Sequence, residues 1–244
     1  MNNFKLARIS SVHKGSFSIL GEFGEIRAEV TGKLANNAEN PLDFPAVGDW
    51  VNAKYLDDNT FAIIDEIKPR KNILKRKASG KQTEYQIIAA NIDIAFIMQS
   101  LDSNFNINRL ERYLVMINEA KIEPIILLSK KDIALAAEIE KMTKKINDGF
   151  NDLKIITFSN KTLEGINQIE ALLVSGKTYC LLGSSGVGKS TLLNSLLDKE
   201  VFDTQQVREQ DGRGKHTTTR RQLIPMKNGA FIIDTPGMRE LGNI

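Results

Sequence analysis

Two patterns of hydrophobic and polar residues divide the chain. Up to about residue 69, short apolar stretches alternate with single glycines, which predicts short strands joined by turns. From about residue 85, nearly continuous apolar runs alternate with segments in which apolar residues recur at helical spacing. Continuous apolar runs are typical of strands covered on both faces, as in a parallel sheet. The pattern therefore predicts a small OB-type β-barrel followed by a doubly wound, mostly parallel α/β sheet.

The predicted elements follow these runs. Strands of the barrel are predicted at 17–20, 26–30, 50–53 and 61–64, and strands of the α/β sheet at 92–98, 124–128, 153–158 and 178–182. Helices are predicted over 133–146, around 166–173, and on the face shared by Leu110, Tyr113, Leu114 and Ile117. The predicted domains are the barrel over 1–69, a basic linker over 70–84 and the α/β domain over 85–244.

The composition indicates the cellular compartment of the protein and excludes some kinds of site. The 244 residues include one cysteine, Cys180, which excludes a disulfide framework and suits a reducing cytosol. With only His13 and His216 beside it, the sequence cannot supply a four-ligand zinc site of the Cys/His type. No apolar run approaches the ~20 residues of a membrane helix, and the N-terminus lacks the apolar core of a signal peptide. We therefore expect a cytoplasmic protein with no membrane contact and no zinc.

Basic residues are concentrated in one segment. The formal net charge is only +3, but seven basic and no acidic residues lie between Lys68 and Lys81. Such a segment favours contact with a polyanion such as RNA. A solvated linker explains the same charges equally simply, so charge alone leaves both interpretations open.

A glycine-rich loop is the most specific motif. Residues 183–190 match the pattern G-x-x-x-x-G-K-[ST], between an apolar strand and a leucine-rich helix. The glycines let backbone N–H groups wrap a polyphosphate, Lys189 adds a positive charge, and Ser190 offers a hydroxyl to Mg²⁺. The simpler alternative is a glycine-rich turn that caps a helix. The predicted nucleotide-binding residues here are Gly183, Ser184, Ser185, Gly186, Val187, Gly188, Lys189, Ser190 and Thr191.

Two further loops are candidates for base recognition. Ser129, Lys130, Lys131 and Asp132 resemble the N/T-K-x-D element with which GTPases recognise guanine. The carboxylate of Asp132 can accept from the N1–H and exocyclic amine of guanine, a donor pair that adenine lacks, while Lys130 lays its stem along the base. Serine in place of Asn or Thr predicts a weaker tie to the phosphate loop. The simpler alternative is that these four residues form the lysine-rich start of a helix and do not contact a base. Ser159 and Asn160 occupy the place of the GTPase S-A-x loop.

The switch motifs come last along the chain. A predicted strand runs into Asp234-x-x-Gly237, in which the Asp holds Mg²⁺ and the Gly amide contacts the γ-phosphate. In the preceding segment, Thr218 is the candidate for Mg²⁺ and γ-phosphate contact. His216 is the candidate catalytic group, and the alternative role for it is to order the threonine loop. Met238 stands where many GTPases carry a water-orienting glutamine, so intrinsic hydrolysis should be slow without another polar group.

The base-recognition motifs precede the phosphate loop, whereas ordinary GTPases have the reverse order. Circular permutation produces such an order, and each strand and loop keeps its place when the ends are moved. The chain resembles the RsgA (YjeQ) family of circularly permuted GTPases, which assist late maturation of the small ribosomal subunit. The stretches that carry the resemblance are 45–51, 89–93, 109–114, the phosphate loop, 212–219 and 234–240.

This resemblance implies an OB barrel, a permuted GTPase domain and a C-terminal zinc-binding domain. It also implies GTP/GDP and Mg²⁺ as ligands, rRNA binding, and GTP hydrolysis stimulated by the small (30S) ribosomal subunit. Only residues 238–244 follow Gly237, so we expect either a truncated product or a chain whose last domain is not encoded. We expect a monomer.

Two other functions fit parts of the sequence. One is an RNA-binding module whose nucleotide turnover is vestigial, carried by the barrel and the basic segment. The other is a different P-loop enzyme, an ATPase or a kinase, which would use the phosphate loop without Asp132. Stimulation of hydrolysis by ribosomal subunits separates the first from a GTPase, and the base preference of an Asp132→Asn protein separates the second.

Overall fold

A closed barrel forms the N-terminal part of the protein. The computed structural model describes residues 4–77, 85–150, 152–198 and 221–235. The barrel strands are β1 (Phe4–His13), β2 (Ser16–Gly21), β3 (Gly24–Val30), β4 (Trp50–Leu56) and β5 (Phe61–Ile67), and a short helix α1 (Gly32–Asn37) follows β3. Pairing of β1 with both β2 and β4, and of β3 with β5, closes the ring. Alternating apolar residues such as Ile9, Ile19 and Ile64 fill its interior.

The second part is a six-stranded α/β sheet in the order β10-β9-β8-β11-β13-β12. Its strands run parallel except β12. They are β8 (Ile94–Ser100), β9 (Glu123–Ser129), β10 (Lys154–Thr157), β11 (Thr178–Gly183), β12 (Gln222–Pro225) and β13 (Phe231–Asp234). Its helices are α2 (Ile107–Glu119), α3 (Ala136–Gly149), α4 (Ile166–Glu170) and α5 (Lys189–Leu197). The helices of the described ranges are all too short or too polar to cross a membrane.

The predicted fold class is confirmed, with differences in detail. A hairpin of β6 (Ile73–Lys77) and β7 (Tyr85–Ala90) begins inside the segment predicted as a basic linker. Strand β8 lies two residues later than predicted because Asn91, in the left-handed region at φ 58°, forms a turn before it. Helix α3 begins at Ala136 rather than at Ile133, whose apolar side chain is exposed. The domain boundaries stay a prediction.

A buried arginine joins the barrel to the α/β sheet. Strand β1 pairs with β12, which makes one continuous eleven-stranded sheet. Beside this pairing, Arg8 is 3% exposed and donates to Thr178 Oγ1 (2.8 Å) and to the Gly48 carbonyl (3.3 Å). Its guanidinium lies 4.9 Å from the ring centres of both Trp50 and Phe231. Burial lowers the pKa of Arg8 to about 10, although the charges of nearby aspartates oppose this. The cation therefore stays charged at neutral pH and serves as a connector.

Gly48 allows the two parts to approach closely. Its backbone is left-handed, at φ 91°, and a Cβ at this position would lie 2.3 Å from the Ala90 carbonyl. The Gly48 N–H donates to the Ile9 carbonyl at 2.9 Å, and the Ala90 N–H donates to the Val47 carbonyl at 2.9 Å. Backbone hydrogen bonds thus fix both sides of this contact.

We predict that Arg8→Met lowers the free energy of unfolding by at least about 2 kcal/mol, because methionine fills the space but removes the buried hydrogen bond to Thr178 Oγ1 and the cation beside two aromatic rings. Chemical denaturation measures the change. Arg27→Met is the matched control, since Arg27 is exposed and pairs with Glu29 at the surface. The control should change stability by less than about 0.5 kcal/mol. Equal losses for the two variants would contradict a special role for Arg8.

Candidate functional site

The phosphate loop lies at the centre of the α/β sheet. Strand β11 is buried along its whole length between β8 and β13, and the loop turns directly from it into α5. The leucines of α5 pack inward, as its sequence predicts. Lys189 is 8% exposed, and its Nζ donates to the carbonyls of Gly183 (2.9 Å) and Ser184 (2.8 Å). Burial lowers the pKa of Lys189 to about 8, and the charge of Asp234 partly offsets this effect.

Asp234 ends β13, the neighbouring strand. Burial raises its pKa to about 6, while the Lys189 charge and the Thr235 N–H act in the opposite direction. Within the described ranges, Asp234 Oδ1 is buried and has no hydrogen-bond partner. A buried ionised carboxylate is ordinarily paired with a cation or a hydrogen-bond donor, so this oxygen is free to take a cation as its partner. This carboxylate oxygen and the Ser190 hydroxyl are oxygen ligands of the kind that Mg²⁺ prefers, so the chemistry of these two residues fits that ion.

The two base-recognition loops contact the phosphate loop directly. Ser129, the last residue of β9, donates through its Oγ to the Val187 carbonyl at 2.7 Å. Asn160 follows β10 and donates through Nδ2 to the Gly188 carbonyl at 3.1 Å. Serine therefore forms this tie to the phosphate loop through its hydroxyl, and an amide from the second loop adds to it; the predicted weakness relative to Asn or Thr stays a prediction. Two consecutive carbonyls of the phosphate loop are held in this way.

Asp132 is oriented by the second loop. Its Oδ1 accepts from Ser159 Oγ at 2.6 Å, and Ser159 is fully buried. The Ser159 hydroxyl also accepts from the backbone N–H groups of Lys161 and Thr162, each at 3.1 Å. Asp132 itself is an exposed residue. The geometry fits a carboxylate that accepts two hydrogen bonds from one edge of a base.

The lysines between Ser129 and Asp132 make ion pairs. Lys130 has a left-handed backbone, at φ 64°, and its Nζ contacts Asp102 at 2.6 Å. Lys131 pairs with Glu164, which links the two base-recognition loops. The predicted position of the Lys130 stem, along a base, is compatible with this arrangement.

A third loop was not predicted from the sequence. Residues 101–106, here called the β8–α2 loop, carry Asp102 and Asn104, and Asn104 Nδ2 lies 3.3 Å from both Ser184 Oγ and the Ser185 carbonyl. The only sequence signal is the position of these polar residues, directly after a buried strand, where parallel strands present their carboxyl ends.

Several predicted site residues lie outside the described residues. They are His216, Thr218 and Gly237. Their roles stay predictions. Of the rest, the structure brings together Ser129, Asp132, Ser159 and Asn160 with the phosphate loop.

The chain is similar to known proteins over most of its length. A family model described as RsgA GTPase matches residues 67–244. The chain belongs to the RsgA GTPase family. It is 44% identical over 236 residues to the small ribosomal subunit biogenesis GTPase RsgA 2 of Lactiplantibacillus plantarum, covering 97% of this chain and 66% of that protein. It is 37% identical over 235 residues to the small ribosomal subunit biogenesis GTPase RsgA 1 of Bacteroides thetaiotaomicron, covering 96% and 65%. The chain thus spans just under two thirds of these two relatives.

Two solved structures are also similar to this chain. The crystal structure of YjeQ from Thermotoga maritima matches with a TM-score of 0.71 and 24% identity, over 98% of this chain and 77% of that one. The structure of YloQ, a circularly permuted GTPase, matches with a TM-score of 0.64 and 22% identity, over 99% and 74%. At these identities the comparison shows a shared fold, which includes the permuted order of strands.

We predict that Gly188→Ala weakens GDP binding at least about tenfold, because a methyl group adds backbone strain and displaces Asn160. Gly188 has φ 93°, and a Cβ there would lie 2.6 Å from Asn160 Nδ2. Calorimetric titration measures the affinity. Gly176→Ala is the control, because Gly176 has φ 79° but no atom within 4 Å of its Cβ position. Unchanged GDP affinity in Gly188→Ala would contradict the role assigned to this contact.

Proposed function

We propose that this chain binds GTP and GDP together with Mg²⁺ and hydrolyses GTP. The observation that carries the proposal is the pair of hydrogen bonds from Ser129 and Asn160 to the phosphate loop. These bonds place the loop of Asp132 beside the loop of Lys189, as a site that holds a base and its phosphates requires. Membership of the RsgA GTPase family supports the same activity.

Different residues bind the base and the phosphates. Asp132, oriented by Ser159, accepts from the N1–H and amine of guanine, and an unpaired carboxylate penalises adenine. The N–H groups of the phosphate loop and the start of α5 face the phosphates. Lys189 gives up its two carbonyl contacts for phosphate oxygens and adds its positive charge there.

Hydrolysis transfers the γ-phosphoryl group to water. A water oxygen bonds to the γ-phosphorus, the bond to the bridging oxygen of GDP breaks, and the proton of the water leaves with the products. Lys189 stabilises the charge that develops on the phosphate oxygens. When bound, Mg²⁺ neutralises phosphate charge, and Ser190, Asp234 and Thr218 are the residues that would hold it. We assign the Gly237 amide to the γ-phosphate and His216 to the attacking water.

We further propose that the chain acts on the small ribosomal subunit and contacts its rRNA. The two relatives described above are named as small ribosomal subunit biogenesis GTPases. The β6–β7 hairpin supports RNA contact, because Lys75 Nζ lies 4.4 Å from the ring centre of Tyr85, which is 39% exposed. A basic strand beside an exposed aromatic ring suits a phosphate backbone and a stacked base. A cytoplasmic, monomeric protein is consistent with this role.

The same hairpin favours a second candidate. An RNA-binding module with vestigial nucleotide turnover would use the barrel and the hairpin, and would need the nucleotide site only for stability. Response of the hydrolysis rate to ribosomal subunits distinguishes it from an assembly GTPase.

We predict that Asp132→Asn changes the base preference of the site from guanine to xanthine. Xanthine carries a carbonyl where guanine carries its amine, and the asparagine amide can donate to that oxygen. GDP affinity should fall at least about tenfold, while affinity for xanthosine diphosphate should rise. Asp148→Asn is the control, since Asp148 is an exposed residue of α3. An Asp132→Asn protein that still prefers GDP would exclude Asp132 as the base-recognition residue and favour another P-loop enzyme.

We predict that purified small ribosomal subunits raise the rate of GTP hydrolysis at least about tenfold, because the subunit supplies or orders a polar group that the site needs. Rates with GTP and with ATP, each with and without subunits, test this. ATP turnover should stay at its basal level in both conditions. A GTPase rate that does not respond to subunits would support the RNA-binding module instead.

A further inference from the structure

The β8–α2 loop touches both halves of the proposed nucleotide site. Asp102 Oδ2 contacts Lys130 Nζ in the base-recognition loop at 2.6 Å. Asn104 Nδ2 lies 3.3 Å from Ser184 Oγ and from the Ser185 carbonyl in the phosphate loop. Two residues of one short loop are thus in contact with the base-recognition and phosphate-binding elements.

The Asp102 carboxylate is fixed by the end of β8 and by its own loop. Its Oδ1 accepts from Ser100 Oγ at 2.6 Å and from the Asn104 N–H at 2.9 Å. Burial raises the pKa of Asp102, but the hydrogen bonds from Lys130, Ser100 and Asn104 and the Lys130 charge lower it more, so the net pKa lies below its usual value. Asp102 is therefore ionised at neutral pH and can hold an ammonium group.

Lys130 spans the gap between two loops. Its Cα belongs to the base-recognition loop, in a left-handed conformation that is uncommon for residues other than glycine, and its Nζ ends on Asp102. The four-carbon stem must therefore run from one loop to the other. A lysine stem held at both ends presents a defined apolar surface, whereas an unpaired lysine samples many rotamers.

Asn104 is oriented by Arg109 at the start of α2. Arg109 Nη2 donates to Asn104 Oδ1 at 3.1 Å and to Gln99 Oε1 at 3.2 Å, and it also contacts the Asn104 carbonyl. Because the amide oxygen of Asn104 accepts from Arg109, its NH₂ group faces Ser184 and Ser185. The loop is thereby anchored to both the helix and the phosphate loop.

We propose that Asp102 is a positioning residue for the purine base: it holds the Lys130 stem as the surface on which guanine lies, while Asn104 fixes the same loop to the phosphate loop. Asp102 acts through Lys130 and needs no contact with the nucleotide itself. The proposal rests on the proposed function, since it takes Lys130 as the residue beside the base. It predicts that the effect of Asp102 on binding disappears when Lys130 is removed.

A double-mutant cycle tests this with GDP as the probe and the full chain as the protein. Asp102→Ala should weaken GDP binding about tenfold, and Lys130→Ala should weaken it at least as much. In the Lys130→Ala background, Asp102→Ala should cost less than about twofold. Asp102→Glu, which keeps the charge, should recover part of the loss. Asp198→Ala is the control, because Asp198 pairs with Lys227 on an exposed surface of the protein.

The outcomes are distinct. Additive losses in the cycle, or GDP affinity unchanged in Asp102→Ala, would overturn the positioning role while leaving guanine binding intact. A wild-type chain that does not prefer GDP over ADP would overturn the proposed function, and this inference with it. If Asp102→Ala does not fold, as its thermal midpoint will show, Asp102→Asn preserves the shape of the side chain and gives the same cycle.

Discussion

Two side-chain hydrogen bonds to consecutive carbonyls, those of Val187 and Gly188, hold the base-recognition loops against the phosphate loop. Of the two donors, Ser129 ends β9 and Asn160 follows β10, and these strands are neighbours in the parallel sheet. Parallel strands place their carboxyl ends at one edge, so loops far apart along the chain meet there whatever their order. Permutation leaves this edge unchanged, because each strand keeps its neighbours while only the connections differ.

Two buried charges give this edge its electrostatic character. Burial moves the pKa of Lys189 down and that of Asp234 up, and the attraction between the two groups limits both shifts. A triphosphate and a divalent cation together would supply each group with an opposite charge, so binding would restore the interactions that burial removes. Such a ligand would offset the electrostatic cost of burying these residues, and perturbed pKa values of this kind are common at functional sites.

Sequence alone predicted the parts of this site whose chemistry imposes a residue pattern. The phosphate loop and Asp132, the residue proposed to recognise the base, stand out in the sequence because binding a phosphate or a purine restricts residue types at fixed spacing. Strand β1 was not among the predicted strands, because its buried stretch includes Arg8 and two serines and does not show the apolar alternation of a strand. Asp102 and Asn104 were not predicted for another reason. They contact other side chains and backbone atoms, and such contacts impose no fixed spacing on the sequence.

The strands of the barrel and the strands that lead to the candidate site belong to one continuous sheet. Arg8 donates to Thr178, the first residue of β11, and lies against Phe231, the first residue of β13. The opposite ends of these two strands lead to the phosphate loop and to Asp234. A strand is stiff along its length because each residue is fixed by hydrogen bonds to both neighbours. The buried arginine therefore places the barrel at a fixed distance from the nucleotide site, and the position of one constrains the position of the other.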